Sequence, residues 1–221
     1  MMEWSHGLLD VPDQQIFRRL AVFPGSFALD AAVAVAGEDA SDYWDIVDAL
    51  GRLLDKSLVA LESRNPPRYR LLETLRFYAM ERLLASGESD AIAERHARHF
   101  ADLFDRADAA PDARPAADRA GLYRPELDNL RTALDWALAE PGRRQTAITL
   151  AGAAGGFLRF WSLEGESRRY FDEVIPLIDQ DTPPRHFRSA LAACPRPLVV
   201  YRQWAGAGIR RARSGSLSRA R

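Results

Sequence analysis

Residues 15–84 constrain the fold most, because their hydrophobic period changes in a fixed order. They include the runs QIFRRLAVFPGSF, YWDIVDALGRLLDKSLVAL and YRLLETLRFYAMERLL. Ile16, Phe17, Leu20 and Ala21 recur at helical spacing and predict a first helix over about 12–22. Pro12 suits its first turn and Asp13 suits the positive end of its dipole. Pro24-Gly25-Ser26 breaks that helix, and a small-residue helix is expected over about 29–36, ending at Gly37. A third helix begins after Ser41, a reasonable N-cap, with Asp42 and Asp45 in the first turn. Its apolar face is Val47, Leu50 and Leu54, with Tyr43 and Ile46 alongside. The period then drops to two. Residues 57–61 alternate as a strand, Asn65-Pro66-Pro67 turns the chain, and 68–72 return as a second strand. Leu72, Leu75, Ala79 and Leu83 mark another helix, stopped by Ser86-Gly87.

Three helices, a two-stranded hairpin and a further helix form the order of a winged helix, with the hairpin as the wing. Its expected core is Phe17, Leu20, Phe23, Phe27, Leu50, Leu54, Leu58, Tyr69, Leu72 and Tyr78. The rest of the chain also reads as helical. Ile92, His96, Phe100, Leu103 and Phe104 share one face of a helix over about 88–109, and Leu127, Leu130, Leu134 and Leu138 form a later stripe. Two more helices are expected over about 145–162 and 166–178, split by Gly165. Their small and aromatic residues (Gly152, Gly155, Gly156, Phe157, Trp161, Phe171) suit a helix hairpin of the tetratricopeptide kind. The expected fold class is mostly α: a winged helix followed by a tetratricopeptide-like segment. The expected boundaries are a winged-helix domain at 1–86, a connecting helix at 87–110, a linker at 111–124 and a repeat-like segment at 125–181.

The net charge of −1 conceals an asymmetry: no acid follows Asp181, and nine arginines do. Residues 1–181 therefore carry −10, and the two regions are judged separately. The stretch 182–221 has no sustained apolar period and reads as a disordered basic extension. A second account is a shift of reading frame near residue 182: arginine outnumbers lysine 29 to one, which implies GC-rich codons, and off-frame translation of such DNA favours Arg, Ala, Gly and Pro. The single cysteine, Cys194, leaves no internal disulfide framework and no multi-thiolate metal site. No signal peptide and no membrane-spanning run is read, so the expected setting is cytoplasmic.

The chain resembles the large bacterial regulators of the STAND ATPase class, the LuxR-type and SARP-type transcriptional regulators. The residues that carry the resemblance are Trp4-Ser5 with Leu8-Leu9, Gln15-x-x-Phe-Arg-Arg-Leu-Ala-Val-Phe, Gly25-Ser-Phe, Asp55-Lys-Ser-Leu-Val, Tyr69-Arg-Leu-Leu-Glu-Thr and Arg76-x-Tyr-Ala-x-Glu-Arg-Leu. His96-Ala-Arg-His-Phe and Glu126-Leu-Asp-Asn-Leu-Arg-x-Ala-Leu-x-Trp continue it. The resemblance implies a winged helix that follows a nucleotide-binding domain and leads into helical repeats. It places the ATPase core upstream of Trp4, and it sets Ala28 where a threonine helix cap is common. No G-x-x-x-x-G-K-[ST] loop is present, and the only lysine, Lys56, has no preceding glycine loop. The implied partner is an ATPase domain encoded elsewhere.

The residues argue for contact with protein rather than DNA. In DNA-binding winged helices the third helix enters the major groove and offers Arg, Lys, Asn or Gln to the bases. Here it carries Asp42, Asp45, Asp48 and Asp55 against Arg52 and Lys56, and carboxylates repel a polyanion. Arg64, Arg68 and Arg70 on the wing are the candidate phosphate contacts, set against a reading as protective charges on an edge strand. His96 and His99 stand three apart, but no third metal ligand is near in sequence and His96 lies on the apolar stripe. No nucleophile elbow or catalytic constellation occurs, so no enzyme, cofactor or metal is expected. The expected function is a non-catalytic regulatory arm against the ATPase domain. The alternatives are a stand-alone DNA-binding regulator that uses wing and tail, and a degenerate gene product.

Overall fold

The computed structural model describes residues 7, 9–38, 42–109, 116–179 and 182. The basic stretch beyond Thr182 and its two readings lie outside them. The chain divides into two compact units, one formed by residues up to Phe100 with Pro125–Ala133, the other by Ala101–Arg124 and the residues from Leu134 onward.

The first unit contains the expected winged helix. Helix α1 (Val11–Arg19) is capped by Asp10, whose Oδ1 accepts from the Asp13 N–H at 2.9 Å, and it tightens into a 3-10 turn at Leu20–Val22. Strand β1 (Phe27–Ala28) leads into α2 (Leu29–Ala36), whose N-cap Ala28 supplies no side-chain hydrogen bond. Helix α3 (Tyr43–Asp55) is followed by β2 (Ala60–Arg64), β3 (Pro67–Arg70) and α4 (Glu73–Ser86), with Gly87 closing α4 at φ 76°. The hairpin is not alone. β3 lies between β1 and β2 in an antiparallel sheet, with Phe27 opposite Tyr69 and Leu61 opposite the same residue from the other side. Two residues carry no readable period, so β1 was invisible in the sequence. A register shift between Leu61 and Ser63 bends the wing at Glu62.

Phe17, Leu20, Phe23, Phe27, Leu50 and Leu58 are buried, and Phe23 stacks on Phe27 at 4.5 Å between ring centroids. Tyr69 and Tyr78 are half-buried, with Tyr69 stacked at 6.1 Å on Phe27. Two core expectations need correction by one residue. Leu54 is half-buried and Leu53 takes the fully buried place, because the inner face of α3 runs through Ile46, Ala49, Leu50 and Leu53. Leu72 is 44% exposed and Leu71 is buried. The chain is still extended there, so alternation turns Tyr69 and Leu71 inward and Arg70 and Leu72 outward. Nor does the strand begin at Ser57. That residue ends α3 in the left-handed region at φ 58°, where the Leu58 N–H reaches the Leu53 carbonyl at 2.9 Å.

Helix α5 (Ser89–Ala109) gives its first half to this unit and its second half to the other. The second unit continues with α6 (Ala116–Tyr123), in a region read from sequence as linker. Its Pro- and Ala-rich approach masked one amphipathic turn pair, and the Ala120 carbonyl accepts from the Trp161 indole N–H at 2.9 Å. Helix α7 (Leu127–Leu138) belongs to the first unit up to Ala133 and to the second from Leu134. Helices α8 (Arg144–Phe160) and α9 (Glu164–Val174) form the expected hairpin, with Gly165 inside the first turn of α9 rather than between the helices. Buried Ala147, Ala151 and Ala154 on α8 allow α9 to approach with Tyr170, Phe171 and Val174. Phe104, Tyr123, Phe157 and Trp161 form an aromatic cluster with centroid distances of 5.3–6.5 Å.

Replacing Phe27 by alanine should lower the stability of the full chain by about 3–5 kcal/mol, whereas Leu72→Ala should cost less than about 1 kcal/mol. Urea unfolding followed by circular dichroism checks both, and equal losses would refute the one-residue correction.

Candidate functional site

The candidate surface is the wing with the outer face of α3. On α3 the inner face is spent on the core, which leaves Tyr43, Trp44, Asp45, Asp48, Asp55 and Lys56 outward. Trp44 is 70% exposed and meets Tyr43 edge-on at 5.2 Å. Arg52, 46% exposed, is already engaged. Its Nε and Nη2 both donate at 2.7 Å to the carboxylate of Asp13, a residue only 2% exposed on α1. The charge that α3 shows to solvent is therefore negative.

The wing has fewer available arginines than its sequence suggests. Arg64 is exposed at the end of β2 beside the turn. Arg70 is half exposed, with Glu62 Oε1 at 3.9 Å, a pair of small energetic worth. Arg68 is different. Its Nε donates to Ser26 Oγ and its Nη2 to the Ser26 carbonyl, both at 2.9 Å, and its Nη1 pairs with Glu126. The side chains of Arg68 and Glu126 are only 11% and 10% exposed. Asn129, fully buried, completes the group: its Nδ2 donates to the Ser26 carbonyl and to Glu126 Oε2, both at 2.9 Å. Arg68 is thus engaged in a structural bracket rather than standing exposed on the wing with Arg64 and Arg70. The sequence missed this because Glu126 and Asn129 lie about 60 residues away; their one signal was a polar i, i+3 pair opening a leucine stripe.

Two further polar groups belong to the same unit. Glu88 accepts from Arg18 Nε at 2.8 Å and Arg19 Nη2 at 2.7 Å, while Arg19 Nη1 donates to the Ala36 carbonyl at 2.9 Å. Burial raises the Glu88 pKa, but the hydrogen bonds and charges of Arg19 and Arg18 outweigh it and lower the value to about 2. His96, on the apolar stripe as read, is 1% exposed between Phe23 and Phe100, at 5.2 and 4.7 Å. Burial lowers its pKa to about 3, the Asn129 amide opposing only in part. Among the described residues no group of three or more His, Cys, Asp or Glu is placed to hold a metal. A cleft of about 260 Å³ opens between wing and α4, lined by Pro24, Arg70, Leu71, Glu73, Arg76 and Phe77.

Helix α1, the short β1, α2, α3 and the hairpin of β2 and β3 together define a winged helix-turn-helix. Residues 9–84 match the winged helix-turn-helix domain family, so this part of the chain carries that domain. The chain is also 41% identical over 156 residues to a Mycobacterium tuberculosis protein provisionally named HTH-type transcriptional regulator, and equally to its Mycobacterium bovis counterpart. That alignment covers 69% of this chain and 17% of the relative, so the chain spans about a sixth of the regulators it matches. An uncharacterized protein of Mycobacterium tuberculosis is 43% identical over 103 residues, covering 45% of this chain and 26% of the relative. No solved structure matches the chain.

Two measurements follow from these buried charges. Stability should fall as pH drops below 6.5, because the unfolded state then takes up a proton that folded His96 refuses until about pH 3. Glu88 acts in the same direction: its stabilisation is complete above about pH 4.5 and is lost as pH falls towards 2. In urea titrations from pH 8 to 4, His96→Phe should flatten the slope between pH 6.5 and 4; an unchanged slope would place the titrating group elsewhere. At neutral pH, Arg52→Ala should cost about 2–4 kcal/mol by stranding the Asp13 carboxylate, and Arg52→Ala with Asp13→Ala should recover part of that loss.

Proposed function

We propose that the chain is the winged-helix part of a transcriptional regulator and acts there as a non-catalytic, protein-contacting arm in the cytoplasm. The observation that carries this reading is the outer face of α3. In the position where a DNA-binding winged helix offers donors to base edges, this one offers Trp44, Asp45, Asp48 and Asp55, with Arg52 locked on Asp13. An exposed tryptophan among carboxylates suits a protein partner, since tryptophan is prominent among interface hot spots. Phe77 and Leu84 on α4 are 69% and 61% exposed and lie seven residues apart on one face, beside the cleft that Arg70 and Arg76 line. The partner that the resemblance implies is a nucleotide-binding ATPase domain encoded elsewhere, whose nucleotide state the arm would relay. The helical segment after it would begin a scaffold for further contacts. Among the described residues no helix is long and apolar enough to cross a membrane, which is compatible with this setting.

A second reading, direct DNA binding, is favoured by one feature: Arg64 and Arg70 stand exposed on the wing of a domain that matches a winged helix-turn-helix family. The names of the relatives point the same way. Fluorescence anisotropy of a labelled random duplex separates the readings. The full chain with its nine tail arginines replaced by serine should show no binding tighter than about 10⁻⁵ M at physiological salt. Submicromolar binding that Arg64→Ala and Arg70→Ala weaken would make DNA the target instead. Co-purification of the full chain with a separately expressed ATPase domain, lost on Trp44→Ala or Phe77→Ala, would support the arm.

A further inference from the structure

Helix α4 is apolar on both faces: Ala79 and Leu83 are buried, yet Phe77 and Leu84 stand largely exposed. At its start opens the cleft of about 260 Å³, where Pro24 and Leu71 lie beside the guanidinium groups of Arg70 and Arg76. Sites for drug-sized ligands run from about 300 to 1,000 Å³, so this one suits a single aromatic side chain better. Its positive charge is open. Arg70 has Glu62 only at 3.9 Å, and Arg76 has no side-chain partner among the described residues. Glu73, also in the lining, offsets one of the two cations.

The complement of this cleft lies on the same unit. Trp44, Asp48, Gly51 and Asp55 follow one another at four-, three- and four-residue steps, so they form one outward stripe of α3. Trp44 is largely exposed, and Asp45 stands beside it. Gly51 weakens the helix that contains it, and a Cβ there would meet nothing within 4 Å. A glycine in the middle of an exposed stripe lets a second surface come close to the helix backbone. No residue of α3 lines the cleft, so the stripe does not fill the cleft of its own chain.

We propose that the cleft receives Trp44 of a second copy of this chain, with Asp45 and Asp48 of that copy against Arg70 and Arg76. Tryptophan offers the best aromatic face to a guanidinium, and Trp and Arg are enriched among the residues that carry binding energy at interfaces. Charge complementarity favours a second copy as the occupant, because every copy carries both halves, an acidic aromatic stripe and a cationic cleft. The two patches differ, so the contact either closes into a ring or continues as a chain of copies. Its ion pairs lie at an open surface, which makes the association sensitive to salt. This inference goes beyond the arm reading and needs no ATPase domain.

The test is sedimentation velocity of the full chain, with its nine tail arginines replaced by serine so that they do not bridge acidic faces. The weight-average mass of this parent should rise with concentration, with a Kd on the order of 10⁻⁵ M at low salt, and fall back as salt is added. Asp45→Arg with Asp48→Arg reverses the stripe, and Arg70→Glu with Arg76→Glu reverses the cleft. Each pair of changes should weaken self-association by about ten-fold or more. Mixing the two variants should restore it, because each stripe then meets a cleft of opposite charge. Both variants stay net negative, so bulk attraction does not account for such a rescue. Should a reversal fail to fold by circular dichroism, Trp44→Ala and Phe77→Ala, both at exposed positions, should each weaken the parent by about ten-fold. A parent that stays monomeric to about 10⁻⁴ M overturns the pairing. So does association that survives either reversal, or a mixture that restores nothing. A monomeric parent that captures the ATPase domain through Trp44 and Phe77 overturns the pairing and leaves the arm reading standing. Self-association without that capture does the reverse.

Discussion

One guanidinium organises the winged-helix unit. Arg68 sits where β3, the loop before β1 and the start of α7 meet, and each of its three donors answers a different oxygen. A charge at 11% exposure is tolerated only because Glu126 neutralises it and Ser26 and Asn129 satisfy what remains. The two-residue β1 depends on this arrangement, since Ala28 pairs with Arg68 and Phe27 with Tyr69. With β1 in register, Phe27 is placed on Phe23 and Tyr69, and the aromatic core closes over the sheet.

The same economy governs the other charges. Arg52 is tied to Asp13, and Arg18 and Arg19 to Glu88, so cations that a sequence count leaves unassigned are engaged by carboxylates of the same unit. Carboxylates without such duties stay outside: Asp45, Asp48 and Asp55 on α3 keep their full effect on an approaching partner. The acidic, aromatic face that α3 turns outward follows from this partition more than from composition.

Much of the fold was legible in sequence for a physical reason. Helices α2 to α5 and the α8–α9 hairpin announce themselves through local periodicity and small-residue or glycine stops. Errors fell where local signals end. Leu53 and Leu71 displaced Leu54 and Leu72 from the core because helix phase and strand alternation are settled at the element boundary, not within it. Helix α6 was hidden behind a Pro- and Ala-rich approach that composition alone reads as linker. For the candidate surface, the acidity of α3 was plain in the sequence, whereas the loss of Arg68 from the wing was not.

The sequence by itself determined the order of the main helices and the wing hairpin and the sign of the charge on α3, since these rest on neighbours within a few residues. Only the tertiary structure decided which arginines are free. Pairings such as Arg68 with Glu126 or Arg52 with Asp13 join residues 58 and 39 positions apart. Both form only once the chain has closed, and the Arg68–Glu126 pair draws strength from a nearly dry, low-dielectric setting in which its side chains are 11% and 10% exposed.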